Sequence, residues 1–319
     1  MKDLRIVFMG TPSFAVASLK AILDAGHNIV GVITAPDRPA GRGRKLNQSA
    51  VKEFATAQKL TVLQPTNLKS ADFLAELKSL NATLQVVVAF RMLPREVWKM
   101  PSLGTFNLHA SLLPDYRGAA PINWAIINGE QKTGVTTFFI DDKIDTGAII
   151  KQQEVHIDSN DTAGTLHDKL MELGSELILE TLTAIKNEKI TVEPQKNTAN
   201  LNTAYKLDRE NTEIDWSKPV EEIYNLIRGL SPYPVAWTEF INEGKKQKIK
   251  IYASKIITEE EELINKPMFK QLLVDNGRLL VGCENGCLEL TQIQLPGKRN
   301  MMTKDLLNGY SFSEEAKVL

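Results

Sequence analysis

An asparagine and a histidine stand two residues apart in FNLHASLLPDYRGAAP, residues 106–121. Side chains on a strand repeat their direction every second residue, so Asn107 and His109 face one side of the strand that TFNL (105–108) predicts. A histidine on its own is most often a structural hydrogen-bonder, but this one has company. The asparagine N–H₂ can stabilise an oxyanion, and an imidazole can move a proton or donate to the same oxygen. Downstream, DDKIDTG supplies Asp141, Asp142 and Asp145. Aspartate is common in turns, and two of these read as solvated turn residues. Asp145, beside Thr146 and Gly147 and ahead of an apolar run, is the one placed to reach inward. There it would set the charge and orientation of His109 or take a proton from an attacking amine.

Positioning such a set takes a sheet. Short β-rich runs alternate with helical patterns: RIVFM (5–9), a helix over 13–25, NIVGVIT (28–34), a helix over 49–58, LTVL (60–63), a helix over 71–80, and LQVVVAF (84–90). That rhythm predicts βαβ units and a mostly parallel sheet. In open parallel sheets the site lies beyond the carboxyl ends of the strands, which is where Asn107 and His109 fall. GAAPINWAIING reads as a helix entered at Pro121 and stopped by Gly129. GVTTFFI (134–140) and AIIKQQEV (148–155) read as strands flanking the aspartate loop. Leu and Ile at 166, 170, 173, 177, 182 and 185 mark one face of a long helix expected to pack on the sheet.

Beyond Ile190 the texture becomes polar and aperiodic, as in a linker. After it come a helix over 221–230, a Pro-rich SPYPVAW turn, and strands in KIKIYASKI, QLLVDNGRLLVGC and LELTQIQL, with DNG and ENG as hairpin signals. So many short strands predict a small closed β-barrel.

Composition narrows the possibilities. The chain has 319 residues, 43% of them hydrophobic, enough for two cores, and a net charge of −1 that argues against a uniformly basic nucleic-acid coat. No stretch is long and apolar enough to span a bilayer, and the first residues read as a strand and not as a secretory signal, so a cytoplasmic protein is expected. Cys283 and Cys287 lack the further Cys or His that a structural zinc site needs, and read as reduced thiols. FMGTPSFA carries a single glycine where a dinucleotide fold has three, and no acidic residue ends the second strand, so NAD binding is not expected. Gly10, Thr11 and Pro12 read as a tight strand-to-helix turn. TAPDRPAGRGRKLNQS (34–49) sets Arg38, Arg42, Arg44 and Lys45 against Asp37 on a loop with two prolines and two glycines, which reads as an exposed, mobile, phosphate-seeking segment.

FNLHASLLPDYRGAAPINWAIING followed by IDTGAII resembles the formyltransferases that use 10-formyltetrahydrofolate. The resemblance implies a Rossmann-like α/β sheet with a C-terminal barrel of OB type, and places the family's catalytic Asn, His and Asp on Asn107, His109 and Asp145. It places the turn that lies against folate on Ser111, Leu112, Leu113 and Pro114. Where the family has an aromatic–Gly pair after the fourth strand, this chain reads AFRMLP, with Phe90 and Arg91. The basic loop resembles that of the members acting on methionyl-initiator tRNA. KLDRENTEIDWSKPVEEIYNLIRGLSPYPVAWT and LPGKRNMMTKDLLNG resemble their C-terminal barrel, with Lys298 and Arg299 as further tRNA contacts. Lys245, Lys246, Lys248 and Lys250 read first as a solvated face.

The resulting expectation is a catalytic domain over 1–189 that binds formyl-folate, a linker over 190–205, and a tRNA-binding barrel over 206–319, in a monomer without metal. A formyltransferase of a small amine, such as a nucleotide-linked sugar or glycinamide ribonucleotide, has no use for the basic loop or the barrel. A non-catalytic tRNA-binding or folate-binding protein has no use for the intact Asn/His/Asp set.

Overall fold

Every residue of LQVVV (84–88) is buried, as a strand covered by helices on both faces must be. The computed structural model describes residues 4–40, 45–196, 200–258 and 261–319. The chain divides into two compact units, one of Met1–Gly118, Thr133–Val155 and His167–Thr203, the other of Ala119–Lys132, His156–Leu166 and Ala204–Leu319.

In chain order the elements begin β1 (Arg5–Gly10), α1 (Ser13–Asp24), β2 (Asn28–Ile33), β3 (Arg38–Ala40), β4 (Lys45–Asn47), α2 (Ala50–Ala57), β5 (Val62–Leu63) and α3 (Ala71–Ser79). They continue with β6 (Leu84–Val88), α4 (Arg95–Trp98), β7 (Thr105–His109), β8 (Arg117–Gly118), α5 (Pro121–Ile127), β9 (Lys132–Phe139), β10 (Ile149–His156) and α6 (Ala163–Lys186). The main sheet of the first unit runs β10-β9-β7-β6-β1-β2-β5. The strands from β5 to β7 are parallel, and β9 lies antiparallel to β7. One face of this sheet buries Val7, Met9, Ile33 and Val87 against Phe73, Leu77 and Val97 from α3 and α4. On α6, Leu166, Leu170, Leu177, Leu182 and Ile185 are buried, as their spacing predicts. A Cβ on Gly174 would come within 2.7 Å of Leu108 Cδ2, so α6 crosses β7 closely, with the Leu108 side chain directly against the glycine. Leu108 therefore points to α6, and Asn107 and His109, one residue to either side, point away from it.

After β11 (Thr203–Ala204), at the boundary of the two units, the second unit continues with α7 (Val220–Gly229), β12 (Ala236–Asn242), β13 (Lys245–Ile256), β14 (Leu272–Asp275), β15 (Arg278–Cys283), β16 (Gly286–Gln294), β17 (Met301–Met302), α8 (Thr303–Leu306) and β18 (Lys317–Val318). In the order β14-β15-β16-β13-β12-β18 each neighbouring pair is antiparallel. Bonds from Leu272 N–H to the Ala316 carbonyl (2.8 Å) and from Val318 N–H to Lys270 (2.9 Å) join the two edges, giving the nearly closed barrel. Trp216, Phe240, Ile251, Leu279 and Leu290 fill it, capped by Ile223 and Ile227 of α7.

Short elements such as α4, β8, β11 and α8 are absent from the sequence reading, and two stretches depart from what it expects. AWTEFIN forms β12, where the sequence reads the end of a Pro-rich turn; its buried Thr238 accepts a hydrogen bond from Trp216 Nε1 at 3.0 Å, so a polar residue takes an inward position and breaks the apolar alternation. The segment read as a mobile loop is a hairpin at its base, β3 pairing with β4 in the register Arg38↔Asn47 and Pro39↔Leu46.

Candidate active site

β7 ends at His109, whose neighbours Val87–Asn107 and Val88–Leu108 are in register with β6, so the ends of both strands open on one crevice. His109 is 7% exposed and Asn107 half-buried. The imidazole Nε2 donates to the Tyr116 carbonyl at 2.8 Å, an oxygen that only accepts. Nε2 therefore carries a proton, and Nδ1 is the end left for chemistry. It faces Asp145 Oδ2 at 3.9 Å, too long for a direct hydrogen bond and short enough for electrostatic coupling.

The aspartate loop between β9 and β10 sorts its three carboxylates. Asp141 Oδ1 accepts from Lys143 N–H (2.9 Å) and the Thr146 hydroxyl (2.8 Å), which makes it the brace of its own turn. Asp142 is exposed, with Arg95 Nε at 4.0 Å. Asp145 alone turns inward. Its backbone has φ 53°, a left-handed value that Asp tolerates better than most residues, and its Oδ2 accepts from Gly118 N–H at 3.0 Å. The loop closes against Phe139, where a Cβ on Gly147 would lie 1.6 Å from the Phe139 carbonyl oxygen.

SLLP follows β7 directly, with Leu113–Pro114 cis. Ser111 and Leu113 are buried, and the Ser111 hydroxyl donates to the Asp115 carbonyl at 2.6 Å. Thr136 on β9 braces the turn from below: its hydroxyl donates to the Ser111 carbonyl (2.6 Å) and accepts from Leu113 N–H (3.1 Å) and Gln152 Nε2 (2.9 Å). Only Leu112 and Pro114 are partly exposed, so a ligand on this turn meets those two side chains and backbone. Across the crevice, in the loop after β6, Phe90 packs on the sheet core while Met92 is 69% exposed. Arg91 donates to the Thr66 carbonyl at 3.1 Å and to that of Pro65, and its guanidinium lies 5.7 Å from the Phe90 ring. Arg91 thus ties this loop to the one after β5. Phe90 and Leu112 are partly buried and Met92 is exposed, so both loops carry apolar side chains.

In the basic segment, the Asp37 carboxylate accepts from Gln64 Nε2 at 2.8 Å and from the Lys52 ammonium, which together hold it below the usual carboxylate range. Arg38 is exposed on β3, and Lys45 stands on β4. Arg42 and Arg44 lie outside the described residues. In the second unit Lys298 and Arg299 are exposed between β16 and β17. The strand lysines are partly engaged, Lys246 with Glu239 at 2.6 Å and Lys248 over the Trp237 ring at 4.2 Å. Cys283 and Cys287 are free thiols, pushed up to about 12 and about 11 by burial. Among the described residues no three His, Cys, Asp or Glu gather as a metal site, and no helix is long and apolar enough to cross a membrane.

Several residues that shape the site escape a reading by motif. The Tyr116 carbonyl, the Gly118 N–H and the Thr136 hydroxyl act through atoms or distances that no local pattern marks. Gln195 lies in the polar stretch after α6 and donates to the carbonyls of Asp145 and Gly147, both at 2.9 Å.

The family model described as formyl transferase matches residues 4–182, and the formyl transferase C-terminal domain matches residues 206–311. A methionyl-tRNA formyltransferase of Flavobacterium johnsoniae is 56% identical over 318 residues, covering 100% of both chains. One of Bacteroides thetaiotaomicron is 48% identical over 321 residues, covering 99% of both. Among solved structures, WlaRD, a sugar 3N-formyl transferase with dTDP and 5-N-formyl-THF, matches with a TM-score of 0.63 at 22% identity, over 94% of this chain and 100% of that one. HypX of Aquifex aeolicus in complex with tetrahydrofolic acid matches with a TM-score of 0.65 at 19% identity, over 96% of this chain and 47% of HypX. These two likenesses concern the fold.

Proposed function

The chain belongs to the formyl transferase family, and from that premise we propose that it moves the formyl group of 10-formyltetrahydrofolate to the α-amino group of methionyl-initiator tRNA. The observation that carries this reading is the convergence of Asn107, His109 and Asp145 at the strand ends of a chain matched from end to end by relatives bearing that activity in their names.

The neutral amine attacks the formyl carbon, a C–N bond forms, and the carbonyl oxygen takes negative charge. Asn107 Nδ2 donates to that oxygen, an interaction stronger in the transition state than before it. Because His109 Nε2 is held by Tyr116, Nδ1 is the atom that takes the proton of the new ammonium. The Asp145 carboxylate facing Nδ1 stabilises the resulting imidazolium. As the oxygen lone pair returns, the bond to folate N10 breaks and N10 takes the proton that the His109 imidazolium gives back, which restores the neutral imidazole. Phe90, Arg91 and the Ser111–Pro114 turn form the folate wall. Arg38, Arg42, Arg44 and Lys45 on one unit and Lys298 and Arg299 on the other meet tRNA phosphates, whose contacts position without reading sequence. The same reading takes 1–189 as the catalytic domain and 206–319 as the tRNA-binding domain of a cytoplasmic monomer that needs no metal.

The test is formyl transfer to methionylated initiator tRNA, compared with methionylated elongator tRNA, an aminated dTDP-sugar and glycinamide ribonucleotide. Preference for the initiator, weakened steeply by salt, supports the reading. Faster transfer to a small amine overturns it.

A further inference from the structure

The stretch after α6 is polar and without periodicity, yet it is pinned at three points to the loops around His109 and Asp145. Glu193 and Ile149 exchange both backbone hydrogen bonds, at 2.8 and 2.9 Å, beside the aspartate loop. Asn202 accepts from Tyr116 N–H through its carbonyl at 2.7 Å, and its own N–H donates to Asp115 Oδ1 at 3.0 Å. Between these anchors stands Gln195, half-buried, with both ends of its carboxamide engaged.

We infer that Gln195 is a positioning residue for formyl transfer, acting through Asp145; the inference rests on the role proposed for that aspartate. Gln195 Oε1 accepts from Arg117 Nε at 3.0 Å and Nη2 at 2.6 Å. A guanidinium only donates, so the amide cannot flip, and Nε2 must face the other way. There it donates to the carbonyls of Asp145 and Gly147, each at 2.9 Å. Those two carbonyls bracket the left-handed turn at Asp145, which the carboxamide holds in the rotation that sends the carboxylate to Gly118 N–H and His109 Nδ1. Arg117, which locks the amide, sits between Tyr116, whose carbonyl takes His109 Nε2, and Gly118, whose N–H takes Asp145. One side chain thus ties the aspartate loop to the segment that fixes the histidine. An ordinary loop hydrogen bond would stabilise one turn, whereas this one sets the distance between two groups on different loops.

The experiment compares Gln195→Glu, which retains the acceptor for Arg117 and loses the donor to both carbonyls, with isosteric Gln195→Met, which loses both. Each is made in the wild-type and the Asp145→Asn background. Turnover, KM for formyl-folate and for methionyl-tRNA, the pH–rate profile and the melting temperature are measured. A misplaced group costs up to ~10²-fold in rate, so kcat falls by that order while both KM values and the melting temperature hold and the pH–rate profile shifts. In the Asp145→Asn background the same changes cost nothing further, because the residue they act through is already disabled. Native turnover of both Gln195 variants beside an impaired Asp145→Asn overturns the inference and leaves the site reading standing. Equal further loss in the Asp145→Asn background, or loss of rate only in step with melting temperature, also overturns it. Native turnover of Asp145→Asn overturns the site reading and this inference with it.

Discussion

His109 Nδ1 and Asp145 Oδ2 face each other at 3.9 Å, the ring bonded through Nε2 to the Tyr116 carbonyl and the carboxylate through Oδ2 to Gly118 N–H. In the proposed mechanism, the proton taken by Nδ1 lies between these two groups.

His109→Gln separates the two ends of the ring. A glutamine amide reproduces the Nε2 donor to Tyr116 and has nothing at Nδ1. The variant is expected to melt close to wild type and to lose turnover by ~10²–10⁴-fold, the usual worth of a general base. Steady-state kinetics with thermal unfolding checks both halves; near-native turnover would remove Nδ1 from the mechanism.

Asp145→Asn keeps an oxygen for Gly118 N–H and tolerates the φ of 53°. Folding is expected to be unchanged, turnover to fall by ~10²-fold or more, and the pH–rate curve to change shape. Asp141→Asn or Asp142→Asn, in residues engaged with their own turn or exposed, is expected to leave the rate near native.

Thr136→Val preserves shape and removes the hydroxyl that braces the SLLP turn. It leaves the Ser111 carbonyl and Leu113 N–H short of a partner in a site with no exposure, a loss of about 1–3 kcal/mol. Urea denaturation measures that loss, and tetrahydrofolate binding is expected to weaken with it because Leu112 and Pro114 ride on the turn.

Cys283 and Cys287 remain thiols in the folded chain well above the ordinary thiol range. Native protein at pH 8 is expected to resist iodoacetamide, and denatured protein to react at both. The folded state binds more protons than the unfolded state once unfolded thiols ionise near ~8.5. The stability from these two burials is therefore complete below that pH and is lost progressively as pH rises toward about 11 and about 12. Replacing both with Ser or Ala is expected to flatten that alkaline decline in an unfolding series.

The sequence by itself determined what depends on near neighbours. Strand and helix positions follow from periodicities of two and 3.6, which is why β1, α1, β6, β7 and α6 fall within a residue or two of their expected spans. Asn107 and His109 were legible as a pair because strand geometry alone aims them to one side, and Asp145 because a turn with three aspartates has room for one inward. Tertiary structure decided the rest. The tautomer of His109 is set by the Tyr116 carbonyl, an atom every residue carries and no composition reveals. The stem of the basic segment is a hairpin, and Asp37 just ahead of it is held by Lys52 and Gln64, from α2 and beyond β5, partners 15 and 27 residues away in sequence. Gln195 reaches Asp145 across 50 residues of sequence, from a stretch whose polarity reads only as solvent exposure. A hydrogen bond between distant loops leaves no period in either of them, so only the folded chain could bring that carboxamide to the aspartate.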